Sequence, residues 1–388
     1  MRRLPRLIYV PYDAARFVFL ASTRSWREQH HPEIPTQPLP RLFANVCLDE
    51  LLLAMMPRPD YNLSHDDLSR WAEELNDALA VLEANDCLEE PAHFHKAPPP
   101  IDDLKRESGS MGPLKFEILR FESGYQSLPD FPGTHRWQAL TANQHVSAYL
   151  LQHNDGPRPW LLNLHPFNSG KPFDLVLMRS MRLHRELGYN VLHPVFPLHG
   201  SRNLKTVDLA TNILSYDLIN TIHFISQSIW DIRRLLDWIR RQGATSISVH
   251  GISLGAYIAA VLAGVEELDR AVLGVGAVSL PAAKDFVLSK REHETIASYG
   301  LIGEQADALF RVISPALLGC QVPLEGRFIY GGVGDRFAPG GTYELWKTWE
   351  KPSVHWHAGG HVSALMARSV WRYIFDALSG EECERSAG

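Results

Sequence analysis

The chain has 388 residues, of which 45% are hydrophobic and 21% charged, enough for one large α/β domain plus an accessory region. A formal net charge of −6 at pH 7 argues against a nucleic-acid partner, which needs a concentrated basic face; Arg179, Arg182 and Arg185, and Arg233, Arg234, Arg240 and Arg241, read as solvated faces of two helices. Cys47, Cys87, Cys320 and Cys383 are scattered without paired spacing, which favours free thiols in the cytoplasm over a disulfide framework, and no apolar run reaches the ~18 residues a membrane span requires.

Residues 1–110 are expected to form a helical extension and linker, separate from a catalytic domain over 111–388. Pro5, Arg6, Pro11, Asp13 and Arg16 interrupt any signal-peptide core. The stretch 7–20 could touch a membrane surface, although docking on the main domain explains its apolar residues more simply. The run from Leu42 to Met56 (LFANVCLDELLLAMM) reads as an apolar helix stopped by Pro57 and Pro59. A second helix follows Ser64, whose capping partner is Asp67, with Leu68, Trp71, Leu75, Leu79 and Leu82 at helical spacing. Pro91 to Pro113 has the prolines, glycines and charges of a linker. His93 and His95 within it stand at i, i+2 but have no cysteine or carboxylate companions of matching pattern, so no metal site is expected there.

From Leu114 the periodicity changes to strands: LKFEILRFES, then HVSAYLLQH from His145, then the doubly apolar RPWLLNLHPF from Arg158. A helix from Asp174 to Gly188, a strand over YNVLHPVFP and a long helical stretch ending at Gly243 continue a βαβ rhythm, which implies right-handed crossovers and a mostly parallel sheet. Residues 281–322 interrupt that rhythm with helical sequence. An insertion there is expected to cap the catalytic edge, because loops at the carboxyl ends of the strands line the ligand crevice. GRFIYGGVGDRFAP and PSVHWHAGGHVSAL carry the last two strands, and Ala364 to Leu378 the closing helix.

The stretch from Thr245 to Gly264 carries the chemistry. Ile247 to Val249 is a short β run, Gly251-Ile252-Ser253-Leu254-Gly255 is a sharp turn, and Ala256 to Ala263 is a small-residue helix. In this context G-x-S-x-G pushes a serine hydroxyl out of the sheet, and the glycines are needed because side chains there would strike the neighbouring strand and helix. The alternative for Ser253 is an ordinary helix N-cap.

A serine hydroxyl needs a base, and the base an orienting carboxylate. Among 18 histidines, His361 is best placed, after Gly359-Gly360 and a terminal strand. His165, His193, His199 and His250 precede Ser253, while His355 and His357 alternate along a strand. Asp335, after RFIYGGVG, is the expected acid; Asp307 and Glu344 are weaker candidates. Of the two donors an oxyanion requires, one is the backbone N–H of Leu254. The other comes from His165-Pro166-Phe167-Asn168-Ser169-Gly170, where Pro166 has no N–H, leaving Phe167 first and Asn168 in reserve.

With GISLG, HPFNSG, GVGDRF and GGH in the order Ser, Asp, His, residues from about 114 to 380 resemble the α/β-hydrolase superfamily of esterases and lipases. One departure is His165-Pro166, where many members have His-Gly. The resemblance implies a mostly parallel α/β-hydrolase sheet flanked by helices and cleavage of an ester, thioester or amide through an acyl-serine intermediate, with no metal or organic cofactor. Phe286, Val287, Leu288, Leu309, Phe310, Leu317 and Leu318 suggest a lid over an acyl pocket, hence a lipase-like carboxylesterase acting on a hydrophobic, lipid-like small molecule. An acyltransferase or peptidase on the same residues, or a non-catalytic scaffold, are the alternatives.

Overall fold

A computed structural model describes residues 15, 33–34, 39–55, 64–203, 216–276, 290–335 and 340–380. Most of the stretch 7–20, the apolar residues Phe286, Val287 and Leu288, and Cys383 lie outside the described residues.

The β-rich patterns assemble into one sheet of nine strands: β1 (Lys105–Met111), β2 (Leu114–Glu122), β3 (His145–Leu151), β4 (Trp160–Leu164), β5 (Asn190–Pro194), β6 (Ile247–Ile252), β7 (Arg270–Gly274), β8 (Arg327–Gly332) and β9 (Ser353–His357). Their spatial order is β1-β2-β3-β5-β4-β6-β7-β8-β9. The pairs among β1, β2, β3 and β5 are antiparallel, and the remaining pairs are parallel. The doubly apolar strands β4 and β6 lie side by side with every residue buried, as expected where helices cover both faces.

The helices that bear on the site are α1 (Leu39–Met55), α2 (His65–Ala84), α3 (Ser180–Leu187), α4 (Leu218–Arg241), α5 (Leu254–Val265), α6 (Lys290–Ser298), α7 (Glu304–Phe310), α8 (Gly341–Thr348) and α9 (Arg368–Ser379). One face of the sheet packs on α4 and α5, the other on α3 and α9. Among the described residues no helix is long and apolar enough to cross a membrane.

Two elements differ from the sequence reading. The stretch expected as linker contains β1, the exposed edge strand KRESGSM, paired along its whole length with β2. Its residues have no buried face to generate a periodic apolar signal, so its pairing is set by the partner strand. The helix expected from Asp174 to Gly188 is broken at Arg179, which adopts a left-handed φ of 50°; Asp174–Leu177 is a separate turn before α3.

Helix α2 of the N-terminal region packs on the core that the sheet shares. The Ser64 side chain caps α2 by accepting the Asp67 N–H at 3.1 Å. Leu68, Leu75 and Leu82 are buried in the same core as α4 and α7. Leu309 and Phe310, expected in a lid, are part of that core as well. They face the N-terminal region because the apolar stripe of α2 needs a partner. His95 bonds the Val312 carbonyl oxygen at 2.7 Å, and Arg311 donates to the Leu88 carbonyl at 2.8 Å.

Candidate active site

Strand β6 ends at Ile252 and α5 begins at Leu254, leaving one residue to reverse the chain. That residue, Ser253, has φ 57° and ψ −118°, a conformation that costs an L-residue about 1–3 kcal/mol and clusters at functional sites. The flanking glycines make the turn sterically feasible. A β-carbon at position 251 would stand 2.3 Å from the Gly255 carbonyl oxygen, and one at 255 would stand 2.1 Å from the Leu164 carbonyl oxygen. The same close approach seats the start of the loop after β4 against the first turn of α5.

The loops after β8 and β9 bring Asp335 and His361 to this edge. His361 Nδ1 lies 2.9 Å from Asp335 Oδ2, and its Nε2 lies 2.8 Å from Ser253 Oγ. A carboxylate can only accept, so Nδ1 carries the proton and Nε2 is free to receive one from the serine hydroxyl. The imidazole and carboxylate side chains are 11% and 6% exposed, so their attraction is weakly screened. Burial by itself lowers the His361 pKa, but the Asp335 charge and hydrogen bond, with Asp49 adding to them, carry it above the ordinary histidine value.

The two loops are joined by backbone: the Gly334 N–H donates to the Gly359 carbonyl at 2.8 Å and the Val333 N–H to the His357 carbonyl at 3.0 Å. Asp49 of α1, unremarked in the sequence, meets the histidine loop directly. Its Oδ1 accepts the N–H groups of Val362 at 2.9 Å and Ser363 at 2.8 Å. A carboxylate inside the apolar run LFANVCLDELLLAMM was the available signal, because a charge on a buried helix face must have partners.

The loop after β4, which holds the expected oxyanion donor Phe167, is shaped by Asp174, whose carboxylate accepts the N–H groups of Gly170 at 2.6 Å and Lys171 at 2.9 Å. Asn168 turns the loop with φ 61°, and Phe167 is half-buried against the core. Leu254 opens α5, so its N–H has no carbonyl one turn earlier to bond.

The other histidines are engaged elsewhere. His193 accepts from Ser180 Oγ at 2.5 Å, Ser180 accepts from Asn163 Nδ2 at 3.0 Å, and Asn163 Oδ1 accepts from His250 Nδ1 at 2.7 Å. His250 Nε2 then accepts from the Tyr330 hydroxyl at 3.1 Å, closing a buried chain beneath the elbow. His165 bonds the Pro166 carbonyl oxygen through Nδ1 and receives the Phe196 N–H on Nε2; His199 bonds the Pro197 carbonyl oxygen. His355 stacks on Tyr373, and His357 is buried at the end of β9. Of the weaker acids, Asp307 lies in the first turn of α7, and Glu344 pairs with Lys347 at 2.8 Å. Among the described residues no cluster of histidine, cysteine or carboxylate side chains could hold a metal ion.

No protein-family model matches the chain. It is similar to two proteins of Mycobacterium tuberculosis, "Uncharacterized protein MT2702" of strain CDC 1551 / Oshkosh and "Uncharacterized protein Rv2627c" of strain ATCC 25618 / H37Rv. Each is 34% identical over 368 residues, which is 92% of this chain and 87% of the relative. Among solved structures it is similar to acetyl xylan esterase 1 from Thermoanaerobacterium sp. JW/SL YS485, with TM-score 0.52 and 13% identity over 82% of this chain and 99% of the esterase.

Proposed function

Because the chain belongs to one family with the Mycobacterium tuberculosis protein Rv2627c and has the α/β-hydrolase fold, we propose that it is a serine hydrolase cleaving a carboxylic ester. The observation that carries this reading is one imidazole held between a hydroxyl and a carboxylate, 2.8 Å from Ser253 Oγ and 2.9 Å from Asp335 Oδ2.

Ser253 Oγ attacks the ester carbonyl carbon as His361 Nε2 takes its proton. The carbonyl π pair moves onto oxygen, where the N–H groups of Leu254 and Phe167 receive it; losing one such donor costs about 3 kcal/mol of transition-state stabilisation. Collapse breaks the bond to the alkoxy oxygen, and His361 returns the proton to that leaving group. Water then attacks the acyl-serine, gives a proton to His361, and the second collapse frees the carboxylic acid and restores the serine hydroxyl. Asp335 holds the imidazole tautomer and faces its positive charge throughout.

Labelling by a fluorophosphonate, with Ser253→Ala as control, tests the nucleophile, and a panel of esters of increasing acyl length tests the substrate class. Covalent capture lost in Ser253→Ala, with turnover on esters of apolar acids, is the expected result. Turnover of peptides without ester cleavage, or transfer to alcohols in preference to water, would replace the reading by a peptidase or an acyltransferase; no capture at all would leave a non-catalytic scaffold.

A further inference from the structure

Helix α1 lies outside the sheet, yet it touches both loops that bring the acid and the base to Ser253. Leu42 and Val46 seat on the acid loop beside Val333; a β-carbon at Gly334 would stand 2.6 Å from Val46 Cγ2. Asn45 Nδ2 donates to the Ala358 carbonyl of the base loop. Asp49 goes further, because its carboxylate ties the two peptide N–H groups that follow His361 and, through the Ser363 hydroxyl, the one that precedes it. Oδ1 accepts the Val362 and Ser363 N–H groups at 2.9 and 2.8 Å, and Oδ2 accepts the Ser363 hydroxyl at 3.2 Å. The Ser363 oxygen in turn accepts the Gly360 N–H at 2.9 Å. A β-carbon at position 360 would stand 2.1 Å from Asp49 Oδ2, so glycine there is what admits the carboxylate.

A carboxylate only 4% exposed is costly to bury unless its oxygens are satisfied. Docking α1 would not require that cost, since Leu42 and Val46 already provide an apolar contact. Every donor to the Asp49 oxygens named above comes from the short turn that carries the histidine.

We propose that Asp49 is a positioning residue for the hydrolysis described above, fixing the turn from Gly360 to Ser363 so that His361 Nε2 faces Ser253 Oγ, and placing a second negative charge beside the imidazolium. The proposal rests on the reading of Ser253, His361 and Asp335 as the reacting groups. A base whose loop is released loses alignment, and a misplacement of about 1 Å can cost ~100-fold in rate. Among the described residues, the charged groups that act on His361 include Asp335, from the loop after β8, and Asp49, from α1.

The test compares full-length wild type with Asp49→Asn, Asp49→Ala and Ser363→Ala. The readouts are hydrolysis of a p-nitrophenyl ester across pH, the rate of fluorophosphonate capture, and the NMR titration of His361 in histidine-labelled protein. Asp49→Asn keeps an acceptor for the two N–H groups and removes the charge. It is expected to unfold at the wild-type temperature and keep KM, to lose about tenfold in kcat and capture rate, and to shift the acid limb and the His361 titration to lower pH. Asp49→Ala should lose more, toward ~100-fold, and Ser363→Ala should lower kcat with the Asp49 charge in place. A merely structural carboxylate would move the unfolding temperature and leave the limb and titration where they are, which overturns the proposal. Should the Asp49 variants fail to fold, wild-type kcat and capture rate in Ser363→Ala would overturn it equally. A wild type that neither captures the probe nor cleaves esters would sink the hydrolase reading instead, while the His361 titration would still decide whether the Asp49 charge acts on it.

Discussion

At Ser253 the backbone strain, the glycine contacts and the hydrogen bond to His361 coincide on one residue. In the proposed mechanism Ser253, His361 and Asp335 act as a unit, so His361→Ala should lower kcat about as far as Ser253→Ala, to the remainder of catalysis that binding and the proposed oxyanion donors supply. Parallel measurement of both variants checks this; a His361→Ala enzyme within ~10-fold of wild type would remove it from the base role. The pH dependence has a definite sign. In the proposed mechanism His361 works as a base only when neutral, and its pKa lies above the ordinary 6.5 because, although burial is the largest single influence and lowers it, the Asp335 charge and hydrogen bond together with the Asp49 charge raise it by more. The acid limb of kcat/KM should therefore have its midpoint above 6.5, activity falling as pH drops through it. These three side chains were legible in sequence because each sits at a strand end with its own glycine signature. Asp49 was not, since nothing local in α1 indicates which loop it meets.

The strands of the parallel half were legible as elements from their apolar runs, whereas β1 was not, because an edge strand with exposed residues has no periodic face. Leu309 and Phe310 make a related point: an apolar stripe announces burial but not its partner, and the buried cluster they join includes residues of α2. Long-range ion pairing is equally invisible in sequence. Arg202, in the turn after β5, meets Asp231 of α4 at 2.8 Å with side chains 1% and 3% exposed. Ser123 Oγ donates to the same carboxylate at 2.6 Å. Arg202→Met should destabilise the fold by about 3–5 kcal/mol, because it strands a buried carboxylate, while the double variant Arg202→Met/Asp231→Leu should recover most of that loss. Urea denaturation of the two single variants and the double variant checks it; equal losses in Arg202→Met and the double variant would mean that the pair itself, rather than the stranded charge, holds the structure.

Across the whole molecule the abundance of histidine becomes a property of the fold. Burial depresses His95, His165 and His223 to pKa values of about 4, and His193, His199 and His250 to about 3. In the unfolded chain each returns to about 6.5, so below that pH the unfolded state binds protons that the native state refuses. Stability is then fully present above pH 6.5 and lost as pH falls toward the folded values, by about 1.4 kcal/mol per pH unit for each such histidine. His361 acts in the opposite sense: with its folded pKa raised, its contribution is full below 6.5 and is lost as pH rises through the elevated value. One raised group cannot offset six depressed ones. Against a typical total of ~5–15 kcal/mol, the six acting together should bring the unfolding midpoint down steeply between pH 6.5 and 5. Thermal unfolding across that range, with activity recovered on return to pH 7.5 to separate reversible protonation of His361 from loss of fold, makes the test. An unfolding temperature that stays level from pH 7 to 5 would mean that these imidazoles reach water and are not held neutral in the core.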